Sequence, residues 1–216
     1  LYPAMEDYRF DVVLGAGLGA QTMEMKLERF TLVGATTRTG LLASPLRDRF
    51  PIQERLVYYA APVRMEIAVR AARKLGLPID PDAMDELSRR ARGTPRIAIR
   101  LLLRARDFAQ VEGDGRVTPA IVVRTLERLE VDVSGLDAMD RRILTVVIDV
   151  FGGGPVGIEA IAASVGEERD TIEDVYEPFL VREGYLARTP RGRVALPMAY
   201  SHLGRDRPRG NQDPLF

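Results

Sequence analysis

Three arginines, Arg188, Arg191 and Arg193, crowd the turn Thr189-Pro190-Arg191-Gly192-Arg193 near the end of a 216-residue chain. A guanidinium keeps its charge at every physiological pH and offers a planar fork of donors, so such a turn can grip an anion, phosphate above all. Acid–base and metal chemistry are poorly provided for. The chain has no cysteine and a single histidine, His202. Disulfides, thiolate nucleophiles and thiolate metal sites are excluded, and a Ser-His-Asp triad or a multi-histidine zinc site is disfavoured; no metal ligand set is assigned. His202 stands near the chain end beside Ser201 and Leu203, where an exposed surface position is the expectation. The 31 basic and 31 acidic residues balance, so any attraction for a polyanion must be local.

The flanking elements could aim these arginines. Tyr185-Leu186-Ala187 leads into the turn and Val194-Ala195-Leu196 leads out, which predicts a β-hairpin bent by Pro190 and Gly192. Before it, residues 155–165 read as a short helix with Ile158, Ile161, Ala162 and Val165 on one face, and Gly166 makes a turn. Residues 169–183 read as a second helix with Ile172, Val175, Phe179 and Leu180 inward, kinked or broken at Pro178. Helix, turn, helix and basic hairpin is the order of a winged-helix module that grips duplex DNA. A lone basic hairpin would more simply be a solvated turn; the helices ahead of it favour DNA. Arg188 and Arg193 flank the turn and are the first candidates for DNA phosphates, with Arg191 and Arg169 after them. Glu173, Asp174 and Glu177 make the second helix acidic and ill suited to reading a groove.

Upstream, residues 62–75, 81–92, 95–111 and 119–129 read as four helices, each opened by a proline, with Thr94 and Thr118 as caps for the last two. Ile97, Leu101, Leu102, Ala105, Phe108 and Ala109 form the core face of the third. Residues 132–137 read as a linker, followed by a helix over 136–151 that stops at Gly152-Gly153-Gly154. The first sixty residues read as β-rich: strands at 10–14 and 22–27 around a Gly-rich turn, then a buried parallel strand at 30–35. Gly15-x-Gly17-x-x-Ala20 imitates a dinucleotide fingerprint, but alternation rather than a helix follows it, which favours a hairpin turn.

Several blocks carry a resemblance. Leu1-Tyr2-Pro3-Ala4-Met5-Glu6-Asp7-Tyr8, Gly34-Ala35-Thr36-Thr37-Arg38, Ser44-Pro45-Leu46-Arg47-Asp48-Arg49-Phe50, Arg92-Gly93-Thr94-Pro95-Arg96-Ile97-Ala98, Phe151-Gly152-Gly153-Gly154-Pro155-Val156-Gly157 and Gly166-Glu167-Glu168-Arg169 stand in order along nearly the whole chain. With the wing they make the chain resemble the RuvB family of AAA+ motors that drive Holliday-junction branch migration. Ile99 stands where Asn is expected after Arg-Ile-Ala, and Pro51 where Gly is expected after Arg-Phe.

The resemblance implies a mixed α/β and α fold: the C-terminal part of an AAA+ α/β ATPase domain (residues 1–61), a small helical lid domain (62–132), a C-terminal winged-helix domain (135–205) and a disordered tail (206–216). It implies that Thr37 is the first sensor and Arg49 an arginine finger; from sequence alone, a salt bridge of Arg49 with Asp48 or Glu54 is the plainer reading. Arg96, at a helix start, matches the second sensor, and Glu6, Asp7, Tyr8 and Tyr59 fall where the family lines its nucleotide pocket. The cofactors implied are ATP and Mg2+. No G-x-x-x-x-G-K-S/T loop or Asp-Glu magnesium motif occurs here. The family carries both upstream of the position matching Leu1, so a fragment without productive Mg-ATP binding of its own is expected. Implied partners are duplex or junction DNA, RuvA through the hairpin at 10–27, RuvC, and copies of itself in a homo-hexameric ring. No apolar run approaches a membrane span, and a soluble cytoplasmic protein is expected. The alternatives are a winged-helix DNA-binding regulator and a clamp-loader-like AAA+ protein.

Overall fold

The computed structural model describes residues 2–14, 21–37 and 39–207, with the backbone alone at residues 13, 14 and 21. The chain divides into two compact units, Leu1–Leu56 and Val57–Phe216.

In the first unit, helix α1 (Tyr2–Glu6) precedes the predicted hairpin, formed by β1 (Arg9–Leu14) and β2 (Gln21–Lys26). Phe10 pairs with Met25 and Val12 with Met23, while Asp11 pairs with Glu24. The alternation of a strand therefore puts the four apolar side chains on one face and the two acids on the other. Phe10, Met23 and Met25 are each about half exposed. The Gly-rich turn at 15–20 lies outside the described residues, but a strand rather than a helix follows it, which removes the dinucleotide reading. The predicted parallel strand at 30–35 is not formed: no described residue pairs with it, and Phe30, Leu32 and Val33 are exposed. A buried parallel strand exists only where neighbours complete its ladder and other elements cover both faces. The described residues of this unit supply neither. A short helix, α2 (Ser44–Arg47), follows.

The second unit begins with the expected helices α3 (Ala61–Lys74), α4 (Pro81–Arg89), α5 (Pro95–Glu112) and α6 (Pro119–Arg128). Each has proline in its first turn, where the missing N–H has no intrahelical acceptor to lose. Thr94 and Thr118 cap as expected, their hydroxyls accepting from the amides of Ile97 and Ile121. Leu87, Leu102 and Leu126 meet at the centre of this bundle, and Ala68, Ala98 and Ala105 let its helices close. Helix α4 stops short of the expected Arg92 because Arg92 and Gly93 take left-handed φ of 48° and 76° to turn the chain into α5.

The rest of the unit is a winged helix. Asp137 caps α7 (Ala138–Thr145) in a reciprocal capping box with Asp140, so the helix starts after the expected Leu136; its last turn widens into a π-helical stretch, Val146–Val150. Helix α8 (Ile158–Val165) begins later than its expected start at Pro155, because Val156 is extended and bridges Arg193. A continuous helical run then passes through α9 (Arg169–Thr171), a π-helical turn (Ile172–Tyr176) and α10 (Glu177–Arg182). The expected break at Pro178 is replaced by that wide turn, which absorbs the lost N–H donor and the ring's bulk. The wider turn also shifts the phase: Val175, expected inward, is 57% exposed, and Tyr176 packs on the core instead. Strands β3 (Leu186–Thr189) and β4 (Gly192–Ala195) form the wing, and α11 (Pro197–His202) closes the fold. Leu136, Ile143, Leu144, Ile161, Leu180 and Leu186 are its core. A Cβ on Gly153 would stand 1.9 Å from the Tyr200 hydroxyl, so only glycine admits that ring.

The expected linker is a tight turn. The Asp132 carboxylate accepts from the amides of Ser134 and Leu136 at 2.9 and 3.0 Å. His202, expected exposed, is mostly buried, bonded to Asp132 at 2.8 Å and edge-on to Tyr185. Arg205 pairs with Asp149 through two bonds at 3.1 and 3.0 Å, while residues 208–216 of the expected tail lie outside the described residues.

One arginine joins bundle to winged helix. Arg92 donates from Nε to the Gly135 carbonyl at 3.0 Å, and its Nη2 reaches Asp137 at 2.6 Å and also Asp140. Its guanidinium lies 5.2 Å from the Phe179 ring centroid. In return Arg182 donates to the Arg92 carbonyl at 3.1 Å and stacks on Tyr58 at 4.1 Å. Asp140 is fully buried, and its Oδ1 has no partner among the described residues. Burial pushes its carboxyl up to about 7 against the opposing pull of Arg92.

Between pH 4 and 7 the folded state therefore keeps a proton that the unfolded chain has released, and stability falls as pH rises through that window. Asp140→Asn keeps the capping acceptor and carries no ionisation cost. Its stability relative to the parent should improve from pH 5 to pH 8 by about 2.7 kcal/mol, the two pH units below the folded value of about 7 at about 1.4 kcal/mol each. Chemical denaturation of both proteins at the two pH values checks this, and a gap that stays constant refutes it.

Candidate nucleic-acid interface

The wing is built so that two arginines stand side by side. In the β3–β4 ladder Arg188 faces Arg193 and Thr189 faces Gly192, leaving Pro190 and Arg191 at the tip. The Thr189 hydroxyl donates to the Gly192 carbonyl at 2.8 Å, fixing the turn. Val156 exchanges backbone bonds with Arg193 at 3.0 and 2.8 Å and acts as a third, minimal strand. A Cβ on Gly192 would lie 2.5 Å from the Val156 carbonyl oxygen, and its φ of 137° already disfavours any side chain.

Cross-strand neighbours on one face stand close enough to interact, and like charges there repel. Here a carboxylate lies beneath them. Glu177, 1% exposed, accepts from Arg188 Nη2 at 2.6 Å on Oε2 and from Arg193 Nε at 2.8 Å on Oε1. Arg193 Nη2 adds bonds to Glu173 at 2.9 Å and to Glu177 Oε2 at 3.2 Å. Glu173 in turn meets Arg169 Nε at 3.3 Å, and Arg169 Nη1 meets Glu159 at 2.8 Å. Burial pushes the Glu177 carboxyl up, but the hydrogen bonds from Arg188 and Arg193 outweigh it and hold the group below its ordinary range. The bond to Glu177 is likewise the main cause that raises both arginines.

The four expected DNA-facing residues thus differ. Arg191 is exposed, and its guanidinium has no partner among the described residues. Arg188 is half exposed, Arg193 is only 16% exposed, and Arg169 is engaged by two glutamates. The sequence shows the acidity of this helix, read above as ill suited to a groove, but not what its acids face. Glu173 and Glu177, four residues apart, face the wing; their spacing with Arg169 was the available signal.

The expected nucleotide-facing residues are placed as follows. In the first unit Arg49 pairs with Glu6 at 2.5 Å, donates to the Pro45 carbonyl at 2.6 Å and stacks 4.4 Å from the Tyr2 centroid; its contacts are not with Asp48 or Glu54. Asp7 pairs with Arg9 at 3.7 Å, and Tyr8, at a left-handed φ of 51°, meets Phe30 edge-on. Thr37 is exposed. In the second unit Arg96 projects from the first turn of α5, exposed and without a partner among the described residues. A cation there opposes the helix dipole unless an anion joins it. Tyr59 is half exposed and lines, with Tyr58, Arg64, Arg89, Arg92 and Arg182, a cavity of about 220 Å³.

Three family models match in succession. Residues 1–56 match the Holliday junction DNA helicase RuvB P-loop domain, residues 59–132 the RuvB AAA lid domain, and residues 133–204 the RuvB C-terminal winged helix domain. The chain is 83% identical over 215 residues to the Holliday junction branch migration complex subunit RuvB of Anaeromyxobacter sp. (strain K) and 60% identical over 216 residues to that of Myxococcus xanthus (strain DK1622). In both cases all of this chain is covered, and it spans 63% of the relative's length. Among solved structures, the Thermotoga maritima RuvB Holliday junction branch migration motor is 46% identical with a TM-score of 0.79, over 95% of this chain and 64% of that one.

Proposed function

The chain belongs to the RuvB family, and from that premise we propose that the full-length protein is an ATP-driven motor subunit that translocates duplex DNA for Holliday-junction branch migration in recombination and repair. The observation that carries this reading is the succession, within one chain, of an ATPase lid and a winged helix whose wing presents paired arginines. The working protein is a cytoplasmic homo-hexameric ring that cooperates with RuvA and RuvC. The domain bounds are 1–61 for the C-terminal part of the large ATPase domain, 62–132 for the lid and 135–205 for the winged helix.

Glu6, Asp7, Tyr8, Tyr59 and Arg96 contact ATP. The fit rests on Arg96, a guanidinium without a partner among the described residues at a helix N-terminus, where backbone amides and the side chain favour the same phosphate. ATP bound with Mg2+ would supply the phosphoryl group that is hydrolysed, and Thr37, as first sensor, positions the attacking water or senses the γ-phosphate. Arg49 is the arginine finger. Glu6 holds it in the meantime; the Glu6 side of the pair is half exposed, so water can take over that carboxylate when Arg49 turns to a phosphate. In the full-length protein, Arg49→Ala should still bind nucleotide while turnover falls by about 10³ to 10⁵. Mixing it with a hydrolysis-dead subunit that retains Arg49 should restore activity at mixed interfaces; mixed rings that never recover would show that Arg49 does not act on a neighbour's ATP.

The hairpin of β1 and β2 docks RuvA through its apolar face. Phe10, Val12, Met23 and Met25 give a two-stranded ribbon more apolar surface than it can bury on itself. Leu18, in the Gly-rich turn of this hairpin, lies outside the described residues. Met23→Ser with Met25→Ser should weaken RuvA binding in a pull-down or titration; unchanged affinity would remove this assignment.

Arg188, Arg193, Arg191 and Arg169 meet DNA phosphates without reading bases. Each lost phosphate contact lowers the slope of log affinity against log salt by about 0.9 on duplex DNA. Arg188→Ala with Arg191→Ala leaves Arg193 on Glu177 and so spares the fold. It should flatten that slope equally on unrelated sequences. A slope that does not move, or a loss confined to one sequence, would mean the wing is not a nonspecific grip.

A further inference from the structure

We propose that Glu177 is a positioning residue that holds Arg188 and Arg193 as one preorganised phosphate cradle. This rests on the reading of the wing as the DNA grip. Two guanidiniums opposed across a ladder would splay apart, and a carboxylate buried at 1% exposure would not stay charged alone. Each defect cures the other. Arg193 spends Nε and Nη2 on Glu177 and Glu173 and keeps both hydrogens of Nη1 unused among the described residues. Arg188 spends only Nη2 on Glu177 and is half exposed. Both can therefore receive a phosphate without releasing the carboxylate, and their planes are fixed before the phosphate arrives. Fixing a long side chain in advance removes an ordering cost from binding.

Charge counting points the other way. Arg188 and Arg193 share one carboxylate, so Glu177→Gln makes the trio more cationic, and attraction alone would tighten DNA binding. A positioning role instead weakens it, by about ten-fold, on short labelled duplexes of two unrelated sequences, with a flatter salt slope. Anisotropy titrations of the full-length protein at several salt concentrations read both quantities. Unchanged or tighter binding by Glu177→Gln overturns the inference. Thermal unfolding reports whether that variant is folded; where it is not, Arg188→Lys decides. That substitution keeps the charge but not the planar fork, so weaker binding supports the cradle and parental affinity overturns it. Arg188→Ala separates the two levels of argument. If it leaves affinity and slope untouched, the DNA reading of the wing fails and the cradle with it; if it weakens binding while folded Glu177→Gln does not, the cradle alone fails.

Discussion

The guanidinium of Arg92 meets Asp137, Asp140 and the Gly135 carbonyl at one point, and the arrangement of the second unit follows from that meeting. Arg92 reaches it only because its backbone turns left-handed and ends α4 early. The same turn, completed by Gly93 and capped by Thr94, starts α5 and so sets where Arg96 projects. On the other side Asp140 closes the capping box that starts α7. One buried ion cluster thus fixes the start of a helix in each domain. A second cluster under the wing repeats the device, with Glu177 beneath Arg193 in the place of Asp140 beneath Arg92. Under the wing, breaking one partner would strand a charge that water barely reaches, which makes that contact far less replaceable than the exposed pairs on α3 and α4.

Much of the second unit was legible because its signals are local. Proline in the first turn, threonine caps and the apolar period of α5 each depend on residues a few positions apart, and all appear as read. The wing was legible for the same reason, from Pro190, Gly192 and the flanking apolar runs. The failures have other causes. The inward position of Val175 was lost to a widened turn that Pro178 imposes from downstream, and the contact of His202 with Asp132 spans most of the winged helix. The run at 30–35 has the composition of a buried strand, but a strand is defined by what lies beside it, and composition does not say whether those neighbours are present. For the site, residue types were readable and their pairing was not. The arginines and the acidic helix were both seen; that they neutralise each other is a fact of three-dimensional placement.

That neutrality bears on how the wing and a polyanion find each other. Arg169, Arg188 and Arg193 are answered by Glu159, Glu173 and Glu177, and the whole chain carries no net charge. Beyond a Debye length the wing projects little field apart from that of Arg191, so electrostatic steering contributes little to its rate of encounter. On the DNA reading proposed for the wing, any attraction for a phosphate backbone acts at touching distance, through the guanidinium hydrogens that Glu173 and Glu177 leave unused. On that same reading, such a local charge pattern suits a strand already delivered within reach more than capture from free solution.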